Sequence, residues 1–225
     1  MSTFFVTATG TDIGKTFVTA GLIRHLREHG KKARAFKPVV SGFDIATAAI
    51  SDPGVLLDAM NEKITPEALD RISPWRFAAP LSPDMAASRE GKVLDFDAIV
   101  AACRAQTGEG ALFIEGVGGV MVPLYERRTV LDLMAALKLP LILVAGSYLG
   151  TISHTLTALD ALRRRDLTVA ALMINDSGDG AVPLDETVST LGRFAPGVPI
   201  AAMPRVKSWV NAKAELAGLA AILGL

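Results

Sequence analysis

The sequence predicts an α/β fold, a mainly parallel β-sheet flanked by helices on both faces, and three observations predict it. Short apolar runs alternate along the chain with longer amphipathic stretches, the rhythm of strands joined by helical crossovers. Most of the apolar runs lack polar alternation, as strands covered on both faces do. Half of the 225 residues are apolar, which suffices for one sizeable core and is far from the composition of a disordered chain. No polar linker divides the sequence, so residues 1–225 are expected to form one domain.

The strands are predicted over residues 4–7, 33–36, 111–114, 141–145, 169–174 and 200–202. The first helix is expected to start near Gly14 and stop before Gly30, because Val18, Leu22 and Leu26 recur at four-residue spacing and Gly30 suits a left-handed cap. Further helices are predicted over 66–72, 83–89, 96–106, 130–137, 151–164, 184–194 and 212–223. Thr65-Pro66 and Ser82-Pro83 pair an N-cap residue with a proline suited to the first turn. The stretches 39–83 and 116–128 are longer than simple crossovers need. Such segments leave the strand ends where open α/β sheets hold ligands, so substrate contacts are expected there.

Charge and composition narrow the partners. Lys plus Arg equal Asp plus Glu at 23 each, so no overall field draws the chain to nucleic acid or to an anionic membrane. Any anionic ligand must be held by local groups. The most apolar window, LPLILVAG, is too short to cross a bilayer. The N-terminal MSTFFVTATG runs into a strand without the pattern of a signal peptide. Cys103 is the single cysteine, which excludes an internal disulfide and suits a packing role. A cytoplasmic location is the resulting expectation. His25, His29 and His154 lack the paired spacing of a metal site.

The strongest motif is TATGTDIGKT, residues 7–16, at the junction of the first strand and first helix. Backbone N–H groups at a helix N-terminus bind phosphate oxygens, Lys15 adds a positive charge, and the Thr16 hydroxyl can ligate magnesium. The match to the P-loop pattern G-x-x-x-x-G-K-[ST] is incomplete, since Thr9 stands where the first glycine belongs. Strand, Gly10, Gly14-Lys15-Thr16 and amphipathic helix still follow in the required order. The fold class is therefore sharpened to a P-loop NTPase-like three-layer sandwich that binds a nucleoside triphosphate.

Two further strand ends carry chemistry. The second strand runs into Lys37-Pro38-Val39-Val40-Ser41-Gly42, placing a lysine at a rigid turn on the ligand edge of the sheet. Lys37 can face the γ-phosphate there. The third ends in Glu115, followed by Gly116, Val117, Gly118 and Gly119. A carboxylate at that point suits magnesium, and the glycines admit phosphate or substrate close to the backbone. Asp52, before Pro53, reads equally as a turn residue or as a third magnesium ligand beside Thr16 and Glu115.

The chain resembles the dethiobiotin synthetase family. The family's loop FVTGTDTxVGKT is matched here by FVTATGTDIGKT, its KPVxSG turn by Lys37 to Gly42, and its VEGAGG turn by Ile114 to Gly119. An ILV-G-x-x-LG-x-I-x-H segment is matched over 142–154, and an Asn-Asp pair by Asn175-Asp176. The resemblance implies an ATP- and Mg2+-dependent enzyme, a cyclo-ligase joining CO2 to the vicinal diamine 7,8-diaminononanoate, with release of ADP and phosphate, in biotin biosynthesis. It implies catalytic roles for Lys15 and Lys37, and metal ligation by Thr16, Asp52 and Glu115. The implied nucleotide contacts are Asp12, Ile13, Gly14, Lys15, Thr16, Phe17, Asp52, Glu115, Gly116, Val117, Gly118, Asn175, Asp176, Pro204, Arg205 and Val206. Thr11 and Ser41 resemble substrate contacts, and a homodimer is implied.

The chain departs from the family at Ala8, which replaces a loop glycine, at Gly10, which replaces an aspartate, and at Tyr148, where some relatives carry lysine. The rival from another class is an ATPase switch of the partitioning type. Those proteins carry a signature lysine early in the phosphate loop, and residues 8–13 contain none. Nor do residues 212–225 form a basic amphipathic helix.

Overall fold

The computed structural model describes residues 2–178 and 182–225. In chain order the strands are β1 (Thr3–Ala8), β2 (Ala33–Phe36), β3 (Val39–Ser41), β4 (Trp75–Phe77), β5 (Ala111–Glu115), β6 (Pro123–Tyr125), β7 (Arg128–Thr129), β8 (Leu141–Gly146), β9 (Val169–Asn175) and β10 (Ile200–Met203). The helices are α1 (Lys15–Glu28), α2 (Asp52–Ala59), α3 (Pro66–Ile72), α4 (Pro83–Arg89) and α5 (Phe96–Arg104). They continue with α6 (Val130–Leu137), α7 (Thr151–Arg163), α8 (Leu184–Phe194) and α9 (Lys213–Ile222).

Six strands form one parallel sheet in the order β10-β9-β8-β1-β5-β2. Successive side chains of a strand point to opposite faces, so β1 feeds two cores. Phe4, Val6 and Ala8 pack with α1, α2, α3 and α9. Phe5 packs on the other side with α4 to α8. The result is the predicted three-layer sandwich, its strands apolar on both faces because both are covered.

Helix α1 buries Val18, Leu22 and Leu26 on the predicted stripe. Gly30 closes it in the left-handed region at φ 72°, while the Lys31 N–H reaches back to the Leu26 carbonyl. Thr65 caps α3 by accepting from the Ala68 N–H at 3.2 Å. Ser82 does not cap α4 through its side chain, contrary to the expectation from Ser82-Pro83; the helix still begins at Pro83, whose fixed φ suits the first turn.

Other elements also differ from the sequence reading: β1 runs one residue further at each end, and α5, α7 and α9 are one or two residues shorter than predicted. Strands β5, β8, β9 and β10 each run one residue further, through Glu115, Gly146, Asn175 and Met203, because ladder pairing extends them past their apolar run. The turn expected over 37–42 contains strand β3, which pairs in parallel with β4, Val39 opposite Trp75 and Ser41 opposite Phe77. A strand this short has no periodic signature, and its partner is remote in sequence. Finally, Asp52 begins α2, which packs against α1 and was not predicted as a helix; Ser51 caps it by accepting from the Gly54 N–H at 3.3 Å.

Register decides what meets at the carboxyl edge of the sheet. Val6 lies opposite Glu115, and Phe36 lies opposite Ile114. Lys37, one residue past Phe36, is thereby carried alongside Glu115, next to the loop that follows Ala8. A slip of one residue would send these side chains to the other face.

Candidate functional site

The loop between β1 and α1 bends through two left-handed residues, Asp12 at φ 57° and Gly14 at φ 90°. Such a bend directs successive N–H groups into a concavity that suits an anion. Gly14 is required there twice over. Its φ is unfavourable for residues with a Cβ, and a Cβ would lie 2.6 Å from Asn175 Nδ2. Asn175, at the end of β9, uses that nitrogen to donate to the Ile13 carbonyl at 2.7 Å. Among the described residues its buried Oδ1 has no donor.

Gly119 lets the loop after β5 lie against the same turn. A Cβ there would stand 3.2 Å from the Gly10 nitrogen and the Thr9 carbonyl. Ala8, which replaces the family glycine, is the last residue of β1 and is fully buried. The departure is absorbed by the strand rather than by the loop.

Two lysines flank the loop in different electrical settings. Lys15 is buried, and its ammonium reaches the Gly10 carbonyl at 3.3 Å. Burial, and then the nearby Lys37 charge, bring its pKa down to about 8. Lys37 is 2% exposed, and its Nζ lies 2.7 Å from Asp52 Oδ2, 2.8 Å from Glu115 Oε1 and 3.2 Å from the Gly116 carbonyl. Burial alone would lower its pKa, but the two carboxylates outweigh it and the net displacement is upward. Asp52 is the mirror case: its partial burial opposes ionisation, and Lys37 with the Thr16 hydroxyl holds its pKa below the usual carboxylate range. Removing one partner of a buried pair such as Lys37–Glu115 typically costs about 3–5 kcal/mol, because the other charge is left behind.

Thr16 Oγ1 stands 2.8 Å from Asp52 Oδ1 and 2.7 Å from Glu115 Oε1. A hydroxyl has one proton and can donate to only one of them at a time. Glu115 Oε2 is buried with no donor among the described residues. Three hard oxygen ligands thus converge with fewer protons than lone pairs, a set that fits Mg2+. Among the described residues no three His, Cys, Asp or Glu side chains form a metal cluster, so the candidate ligands are one hydroxyl and two carboxylates.

Two cavities adjoin across the loop. One, of about 450 Å3, is lined by Thr11, Asp12, Gly14, Lys15, Thr16, Phe17, Lys37, Ser41, Asp52, Val117 and Gly118, all singled out from the sequence. Val40, Gly42, Ile50 and Ser51 also line it and were not named as contacts; Val40 and Gly42 lie in the matched Lys37–Gly42 turn, whereas Ile50 and Ser51 had only adjacency to Asp52 as a signal. The second, of about 400 Å3, shares Asp12, Gly14 and Phe17 and adds Ile13, Asn175, Asp176, Pro204, Arg205 and Val206 as expected. Ser177 and Met203 were missed there. Glu115 and Gly116, expected as nucleotide contacts, line neither cavity; both accept from Lys37 Nζ, and Glu115 Oε1 also lies beside Thr16 Oγ1. A third cavity of about 470 Å3, mostly apolar, lies on the far side of the loop, with Thr9, Thr11, Gly119, Val120 and His154 on its walls. His154 Nδ1, from this wall, lies 2.9 Å from the Tyr148 hydroxyl.

Cys103 is buried on α5 in the apolar core, where burial pushes its thiol up to about 12. It packs and is unsuited to nucleophilic chemistry. Among the described residues no helix is long and apolar enough to cross a membrane.

Residues 2–213 match the family model described as "AAA domain". The chain is 49% identical over 222 residues to the ATP-dependent dethiobiotin synthetase BioD of Acidiphilium cryptum, covering 96% of this chain and all of that one. It is 51% identical over 221 residues to the protein of the same name from Phenylobacterium zucineum, covering 96% and 94%. Among solved structures, the MinD cell division protein of Aquifex aeolicus aligns with TM-score 0.54 at 14% identity, covering 96% and 87%. A ParA family ATPase from Chlorobium tepidum aligns with TM-score 0.53 at 12% identity, covering 99% and 92%. At such identities these two show a common P-loop fold and nothing about activity. The sequence matches over 96% of the chain, together with a phosphate loop, Lys37 and Glu115 converging at one sheet edge, make this chain a member of the ATP-dependent dethiobiotin synthetase family.

Proposed function

We propose that this chain is an ATP-dependent cyclo-ligase that converts 7,8-diaminononanoate and CO2 to dethiobiotin, with release of ADP and phosphate, in biotin biosynthesis. The observation that carries the proposal is the meeting of Lys37 with Glu115 and Asp52 beside Ser41, on the cavity that also receives Lys15. That cavity is of a size to hold the terminal phosphates next to a small amine substrate.

The chemistry asks for alignment and charge neutralisation. One amine adds to CO2 and loses a proton, giving a carbamate. A carbamate oxygen attacks the γ-phosphorus and ADP departs, leaving a mixed anhydride. The second amine then attacks the carbonyl carbon, loses its proton, and expels phosphate as the ring closes. No step requires a covalent bond to the protein, so the contribution of its residues is positional and electrostatic. Lys15 and the loop N–H groups hold the β- and γ-phosphates, and Lys37 faces the transferred group from the opposite side. Thr16, Asp52 and Glu115 would hold Mg2+, which neutralises phosphate charge. Asn175 Oδ1 accepts from the adenine amino group, with Pro204 to Val206 bordering the base. Thr11 and Ser41 contact the diamine.

The apolar cavity bordered by Val120 and His154 suits the hydrocarbon portion of the substrate. Exposed Leu149, next in sequence to Tyr148, and exposed Met121, on the wall of that cavity, support a homodimer in which a second subunit completes that end. One synthetase domain spanning the chain and a cytoplasmic location complete the proposal. Incubation with ATP, Mg2+, bicarbonate and 7,8-diaminononanoate tests it: phosphate and the cyclic urea should appear in equal amounts. Phosphate release no greater than in the diamine-free control would refute it.

A further inference from the structure

We infer that the Lys37 ammonium and a divalent metal are competing occupants of one carboxylate clamp, so that the site takes up its metal together with a nucleotide and not ahead of it. This rests on Thr16, Asp52 and Glu115 being the metal ligands. The three acceptors around Lys37 Nζ, namely Asp52 Oδ2, Glu115 Oε1 and the Gly116 carbonyl, engage all three of its N–H bonds. Thr16 Oγ1 approaches the same Glu115 oxygen and the other oxygen of Asp52. A cation ligated by Thr16 and the two carboxylates therefore shares both carboxylates with the lysine, even when it enters through the free Glu115 Oε2.

As it lies between the carboxylates, the lysine has almost no contact with water. It is 2% exposed, and a divalent cation brought beside a buried ammonium is strongly repelled at low local dielectric. Lys15, Lys37, Asp52 and Glu115 together carry no net charge, so a free divalent ion adds two uncompensated charges to the cluster. A nucleotide changes both conditions. Its phosphates bring more negative charge than the metal brings positive. They also enter the cavity that Lys37 lines with Lys15 and Gly14, giving the ammonium new acceptors as it yields the carboxylates. Lys37 is then handed to the phosphate by the event that fills the metal site, which prevents the metal from loading without the reactant.

Mn2+ binding, read by electron paramagnetic resonance on the intact protein with and without a non-hydrolysable ATP analogue, tests the inference. Wild type should bind Mn2+ weakly alone and tightly with the analogue. Lys37→Met should gain Mn2+ affinity in the absence of nucleotide by about tenfold or more, the scale on which one adjacent like charge shifts an ionic equilibrium. Glu115→Gln placed in the Lys37→Met background should abolish the gain. Lys37→Gln, which keeps a donor for the Gly116 carbonyl but not the charge, should show the same gain and serves if the methionine variant folds poorly. Folded Lys37 variants that bind Mn2+ no better than wild type overturn the exchange. So does wild type binding Mn2+ equally with and without the analogue. If Mn2+ binds wild type with the analogue, and Glu115→Gln does not weaken that binding, the ligand assignment itself fails, an outcome distinct from failure of the exchange.

Discussion

Replacing Lys15 with methionine should stabilise the protein while removing nucleotide binding. The folded chain holds this lysine buried, with a carbonyl 3.3 Å away and, among the described residues, no carboxylate in contact. Burial and the Lys37 charge lower its pKa from 10.5 to about 8. At about 1.4 kcal/mol per tenfold change, that displacement disfavours the charged folded state by about 3 kcal/mol. Loss of the contact with the Gly10 carbonyl offsets about 1 kcal/mol, so a net gain of about 2 kcal/mol is expected at pH 7. The sign of the pH dependence follows from proton counts. Between pH 8 and 10.5 the unfolded chain carries a proton at Lys15 that the folded chain has lost, so the unfolding free energy rises with pH in that window. The penalty is complete below about pH 8 and vanishes above 10.5. Urea unfolding of wild type and Lys15→Met from pH 7 to 10 isolates the effect, since other titrating groups are common to both. Their stability difference should shrink as pH rises, and calorimetry at pH 7 should show ATP binding only to wild type. A difference that is constant across this range, or a methionine variant less stable than wild type at pH 7, refutes the reasoning.

Two further substitutions probe the site from either side of the phosphate loop. Lys37→Ala should fold, with reduced stability from the unpaired Glu115, and lose about two to three orders of magnitude in turnover, the scale of removing one donor to a developing anion; steady-state phosphate release by protein whose circular dichroism is native measures this, and wild-type turnover would exclude the role. Gly14→Ala should destabilise by about 2–3 kcal/mol, combining the left-handed φ with displacement of the Asn175 amide from the Ile13 carbonyl. Urea unfolding reads that loss. In an Asn175→Ala background, where that contact is already gone, Gly14→Ala should cost only the backbone part, whereas an equal cost in both backgrounds would show that the contact contributes nothing.

The chemistry-bearing residues were legible where they sat at the end of a strong local pattern. Gly14-Lys15-Thr16 follows an apolar strand and precedes an amphipathic helix, and Lys37 and Glu115 each end an apolar run. Such patterns arise from burial on a fixed period and need only a short window of sequence. The apolar runs likewise determined the six main strands, both covered faces of the sheet, and with them the three-layer class. Asp52 was ambiguous because Asp-Pro starts turns and helices alike; only the packing of α2 against α1 turned it toward Lys37.

The convergence itself belongs to the tertiary structure. Lys37 and Glu115 are 78 positions apart, and Thr16 and Glu115 are 99 apart. No local propensity encodes the register that sets Phe36 opposite Ile114 and Val6 opposite Glu115. The β3–β4 ribbon, the seating of Asn175 under Gly14 and the burial of Lys15 are of the same kind. Each depends on which surfaces remain to be covered once the sheet has formed. The sequence by itself determined which residues could do the chemistry and which elements would carry them, because those are properties of single segments. Only the folded structure decided that two carboxylates, a hydroxyl and a buried ammonium share one point at the sheet edge, because that is a property of how segments distant in the chain pack.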